Sequence, residues 1–213
     1  MKFWTVQKIT VADTVNKFGV FSPDFSKSDY VAMNPELKNL YDVILSSFNK
    51  VNNVMFPGLI FSFMESDNKK IYSIPDIYSF YDLINEKKPV IKSLWENLCS
   101  NDTVILELDY SEKFNPIYMD VNDFQFLMPP LMIMPPYTDN DIQYLLEDIN
   151  NGIIRPSVFP SGLIQAHLPY IKSENITILG KDLSNIKLLK NEVFLVIITI
   201  LLIFLSYLPF FLR

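Results

Sequence analysis

Residues 103–110 read Thr-Val-Ile-Leu-Glu-Leu-Asp-Tyr, a β-branched and apolar run that polar side chains enter at alternate positions, which predicts a strand. Two places apart in that strand, Glu107 and Asp109 fall on the same face. Residues 34–49 carry a different period. Asn34 suits an N-cap, Pro35 the N1 position and Glu36 the positive end of the helix dipole, while Leu37, Leu40, Tyr41, Ile44, Leu45 and Phe48 recur at helical spacing. A strand and an amphipathic helix within one stretch of chain predict a single mixed α+β domain.

Working outward, Leu59 to Met64 and Ile71 to Ile74 are apolar stretches separated by a polar hexapeptide, which reads as a hairpin. Pro75 and Pro89 each open a short helical pattern, over 76–88 and 90–99. Ile117 to Phe126 carries a looser alternation expected to pair with 103–110, and Phe3 to Val11 reads as another edge of that sheet. Residues 128–136, Met-Pro-Pro-Leu-Met-Ile-Met-Pro-Pro, are too rich in proline for a helix or a central strand, because proline removes a backbone donor and restricts its predecessor. They read as an extended apolar loop. Thr138 is expected to cap a helix with Asp139 and Asp141 in its first turn, Ile142, Leu145, Leu146 and Ile149 as its buried stripe, and Gly152 as its stop. Pro156, Pro160, Gly162 and Pro169 suggest an irregular segment beyond it. No repeat of 20 to 50 residues is present.

From Val193 to Leu212 twenty residues carry no charge and are interrupted only by Thr199, Ser206 and Pro209. About 20 residues at ~1.5 Å each cross a hydrocarbon core of roughly 30 Å, and a helix is the form that satisfies its own backbone there. The run has no polar face, which a buried helix of a soluble domain normally keeps. Val193, Phe194, Leu195, Ile198, Leu202, Phe204 and Leu208 are the anchoring side chains on this reading. The expected division is a soluble α+β domain over 1–172, a membrane-proximal connector over 173–192 and a transmembrane helix over 193–212. Lys181, Lys187 and Lys190 precede the run against Asp182 and Glu192, and only Arg213 follows it. This excess of lysine places the domain on the cytosolic side. The N-terminal stretch has Lys2 but no apolar core or small-residue cleavage site of a secretory signal. Together these features suggest a single-pass, tail-anchored topology, with the endoplasmic reticulum system slightly favoured. The sequons at Asn101 and Asn175 arise readily by chance in a chain rich in Asn and Thr; glycosylation at either would reverse the orientation.

The formal net charge of −6, from 18 basic and 24 acidic residues, argues against nucleic acid as a partner, because phosphate affinity comes from Lys and Arg. One cysteine, Cys99, and one histidine, His167, leave too few soft ligands for a zinc site, and a lone Cys permits no internal disulfide. Five glycines include no phosphate-binding loop. No metal or other cofactor is implied. Glu107 and Asp109 are the only candidate catalytic residues, able in principle to hold Mg²⁺ or to divide acid and base roles, although a solvated strand face accounts for them equally well. Asp139, Asp141, Glu147 and Asp148 lack the pattern of a calcium loop. Met128, Leu131, Met132, Ile133 and Met134 supply adaptable apolar surface suited to a protein partner. The leading expectation is therefore a membrane-anchored domain that binds or assembles with proteins at the bilayer. A membrane-tethered hydrolase dependent on a metal or on carboxylates, and a structural membrane component of a virion or organelle, are the alternatives. Frequent Asn, Ile and Lys fit an AT-rich coding genome such as those of certain protists or large DNA viruses.

Overall fold

The computed structural model describes residues 1–67, 70–87, 96, 100–110, 114–127, 138–151, 157 and 159–179. Its elements in chain order are β1 (Lys2–Lys8), α1 (Ile9–Phe18), β2 (Val20–Phe21), α2 (Asp29–Met33), α3 (Lys38–Asn52), β3 (Ile60–Ser66) and β4 (Ile71–Tyr72). There follow α4 (Ile77–Lys87), β5 (Thr103–Asp109), β6 (Ile117–Asp120), α5 (Val121–Leu127), α6 (Asp139–Asn151), β7 (Leu163–Leu168), β8 (Ile171–Lys172) and β9 (Ile176–Ile178). The mixed α+β class read from the sequence holds.

One antiparallel sheet organises the domain, in the order β6-β7-β3-β1-β5-β9, with β4 paired to β3. Strands β2 and β8 form a separate two-stranded ribbon. Both faces of the main sheet are covered. On one, Phe3, Ile60, Met64, Leu106, Leu108, Ile164, Ala166 and Leu168 pack against Ala12 and Val15 of α1. On the other, Trp4, Phe63, Ile105 and Leu163 meet Phe80 and Ile84 of α4, and further along Ile117 and Met119 meet α3, α5 and Ile149 of α6. Trp4 lies at the centre of the second face, stacked on Phe80 at 5.5 Å and donating its indole N–H to the Ile74 carbonyl at 2.9 Å. That bond lets a polar atom sit in a fully buried ring at no unpaired cost.

Several local expectations match the fold. The helix read over 34–49 is a short 3-10 turn at Pro35–Leu37 that continues as α3, with Leu40, Tyr41, Ile44 and Phe48 buried, and Asn53 ends it in the left-handed conformation. The hairpin, the strand at 103–110 and the first proline-opened helix are also present. Asp76 secures that helix by accepting from the Tyr78 and Ser79 amides at 2.8 and 2.9 Å. Thr138 and Asp141 exchange hydrogen bonds at the start of α6, with Asp141 occupying the glutamate position of a capping box. Of the pattern read over 90–99 only residue 96 falls among the described residues.

Other expectations are corrected. β1 is an interior strand bonded to β5 on one side and β3 on the other, whereas the sequence suggested an edge. The chain turns into a helix at Ile9 despite β-branched Ile9, Val11 and Val15, because Ala12 and Val15 bury against the sheet and Gly19, at φ 77°, returns its N–H to the Val15 carbonyl. β6 pairs with β7 and not with β5, and its alternation stops at Asp120. The largest departure is β7. The segment expected to be irregular contains a strand buried at all six positions, with β3 on one side and β6 on the other. β9 falls within the stretch read as a connector and adds a further strand beside β5.

Candidate functional site

Glu107 and Asp109 do lie on one face of β5, as the alternation requires. In the β1–β5 register Trp4 stands opposite Glu107, and Lys2 opposite Asp109. Lys2 Nζ donates to Glu107 Oε1 at 2.7 Å, and the Met1 ammonium reaches Asp109 Oδ1 at 3.4 Å and the Tyr110 carbonyl at 3.1 Å. The bond to Glu107 holds the Lys2 ammonium above its ordinary value. Asp109 is 73% exposed and Glu107 17%. The pair therefore sits at the sheet surface, each carboxylate facing its own cation.

His167 occupies the opposite extreme. It points from β7 into the aromatic layer below α3 and α5, fully buried, with the Phe61 ring edge-on at 4.8 Å. Its Nδ1 lies 2.9 Å from the Ile117 carbonyl, which can only accept, so the proton resides on Nδ1 and Nε2 keeps its lone pair. Nε2 is buried with no hydrogen-bond partner among the described residues. Burial lowers the imidazole to about 4, the Ile117 bond opposing only in part. A neutral ring sealed from solvent and tied across two strands acts as a structural group.

A third set of polar residues lies at the β6–α5 junction. Asp120 and Asp123 are 6% and 5% exposed. Asp120 Oδ1 accepts from the Asn122 amide at 2.8 Å, and both its oxygens lie within 3.2 Å of the Ser161 amide. Asp123 Oδ1 accepts from Ser157 Oγ at 2.6 Å. Asn122 also donates to the Phe159 carbonyl at 2.8 Å. Burial raises the Asp120 carboxyl above its usual range, with the Asp123 charge acting in the same sense and the donors opposing. This is the one place among the described residues where two buried acids are neighbours. Sequence reasoning missed it, since what buries these carboxylates is a loop about forty residues further along the chain. Among the described residues no group of three or more His, Cys, Asp or Glu is placed to hold a metal ion.

The suggested partner-binding residues Met128, Leu131, Met132, Ile133 and Met134 lie outside the described residues, as do Cys99 and the anchoring side chains Val193, Phe194, Leu195, Ile198, Leu202, Phe204 and Leu208. Among the described residues no helix is long and apolar enough to cross a membrane. No protein-family model, curated protein or solved structure matches this chain significantly.

Proposed function

We propose that this protein is a single-pass membrane protein, anchored through residues 193–212, whose α+β domain faces the cytosol and assembles with other proteins at that membrane. The observation that carries the reading is the uncharged twenty-residue run from Val193 to Leu212, long enough to cross a bilayer as a helix. The lysines that precede the run support the orientation. A binding role is favoured over catalysis by the surroundings of the chemically interesting groups. Glu107 faces Lys2, His167 is sealed with its Nδ1–H already donated, and Asp120 is taken up by main-chain amides. The Met128 to Met134 segment supplies the adaptable apolar contact.

The test is carbonate extraction and protease protection of the full chain in membranes, combined with identification of copurifying proteins. Retention in the pellet, with the domain cleaved by protease added from the cytosolic side, is the expected result. Release into the supernatant overturns the anchor, and a glycosidase-sensitive form overturns the orientation. Replacing Met132 and Met134 with Ser should weaken complex formation and leave the thermal unfolding midpoint nearly unchanged. A large fall in that midpoint would assign the segment to the core instead.

A further inference from the structure

We propose that β9 is a self-pairing edge, joining the sheets of two copies of this chain into one. This deepens the assembly reading above, and it rests on that reading for the membrane that brings the copies together.

The argument starts from the direction of the backbone groups. In the β5–β9 register Leu106 is opposite Ile178, Glu107 opposite Thr177 and Leu108 opposite Ile176. One step further, the Leu179 N–H donates to the Ile105 carbonyl at 3.1 Å. Antiparallel pairs alternate between bonded and non-bonded positions, so Leu179 and Thr177 direct their N–H and C=O groups at β5. Those of Ile176 and Ile178 therefore point away from it. β9 ends the sheet, with no strand beyond it among the described residues. The edge also lacks the usual safeguards, since Ile176-Thr177-Ile178 carries no charge, proline or bulge. Ile178 is 43% exposed, an apolar side chain left at the rim of a packed face.

Among possible occupants, a second copy fits best. The tripeptide reads the same in both directions, so a twofold axis through Thr177 places Ile176 opposite the other copy's Ile178 and Thr177 opposite Thr177. That is the self-matching contact a two-fold dimer requires. The outward groups of Ile176 and Ile178 would then form bonded pairs, and the two Thr177 residues the close non-bonded pair between them. Each exposed Ile178 would gain an Ile176 neighbour on the same face. Three residues a side bury too little surface to hold a dimer in dilute solution. Thirteen residues separate Leu179 from Val193, a reach of about 45 Å when extended. Copies anchored in one bilayer thus present their edges to each other at a raised effective concentration.

Non-bonded antiparallel partners lie ~4.5 Å apart at Cα, within disulfide range. The experiment is oxidative cross-linking of the full chain in membranes, with Cys99→Ser as background and Thr177→Cys as probe. Thr10→Cys, exposed on α1, is the collision control. A disulfide dimer from Thr177→Cys and none from Thr10→Cys is expected. Adding Ile178→Pro removes only an outward donor and should abolish the dimer while β9 stays on β5. Ile178→Lys, which sets a charge at the pairing position, serves the same purpose if the proline variant proves unfolded. Absence of the Thr177→Cys dimer, equal yield from Thr10→Cys, persistence in both Ile178 variants, or a disulfide to a different protein would each overturn self-pairing. Carbonate extraction of the same samples reads the anchor separately. Pelleted protein without the dimer refutes self-pairing alone, and a dimer formed by unpelleted protein refutes the anchor alone.

Discussion

Glu107 with Asp109, and Asp120 with Asp123, are two carboxylate pairs of similar spacing in opposite surroundings. The first stands at the surface of β5, each acid beside a cation. The second is buried at the β6–α5 junction and held by main-chain amides and a serine hydroxyl. Spacing along the chain identifies such pairs, but burial determines their chemistry. An exposed ion pair exchanges one set of favourable contacts for another of nearly equal free energy. A buried carboxylate has no water to fall back on, so its donors become indispensable.

The comparison breaks most readily at Asp120. Asp120→Ala strips the acceptor from two amide groups, that of Ser161 buried, and is expected to cost about 4 kcal/mol in urea unfolding. A loss below about 1 kcal/mol would mean the junction reorganises freely and the contrast fails. Next in size is the acid response of His167. Its folded value of about 4 lies below the ordinary 6.5, so the neutral ring's contribution is complete above about pH 6.5 and is lost as pH falls toward 4. A shift of that size is worth about 3 kcal/mol. Asp120 acts in the opposite sense: its raised carboxyl takes up a proton more readily when folded, so acidification through that range stabilises. Subtracting the unfolding free energies of a His167→Phe variant, measured from pH 7 to pH 4, isolates the histidine. An unchanged pH dependence in that variant would show that His167 is not the group responsible. The smallest effect is expected at Glu107→Gln, which should leave the unfolding midpoint nearly unchanged, as for most exposed ion pairs. If it abolished a hydrolytic activity of the full chain with the fold intact, the tethered-hydrolase alternative would displace the binding role.

The parts of the fold legible in the sequence are those whose pattern is local. α3 announces itself because residues three and four apart share the face that packs on the sheet, and β5 because its polar residues enter at alternate places. β7 was illegible for the same reason. Buried on both faces, Leu163 to Leu168 shows no alternation, and Gln165 and His167 make the run look less apolar than its position. The flanking Pro160, Gly162 and Pro169 then mark the ends of a core strand, where they had suggested a loop. Helix α1 was hidden by its β-branched residues, whose slight preference for strand is outweighed by burying Ala12 and Val15.

The candidate sites divide similarly. Glu107 and Asp109 could be found from the two-residue period of one strand. Asp120 could not be singled out, because Ser161, which bonds it, arrives through the pairing of β6 with β7. His167 was visible as the only histidine, but its sealed state depends on Phe61 and Ile117 from two other strands.

By itself, then, the sequence determined the α+β class, helices α3, α4 and α6, the strand at 103–109 and the uncharged run at 193–212, since each depends on a period or a length carried within a single segment. Only the tertiary structure decided that β1 and β7 lie inside the sheet, that β9 forms its rim, and that Asp120 and His167 are buried where Glu107 and Asp109 remain at the surface. Strand order and burial are set by contacts between segments distant in the chain, and no local pattern records them.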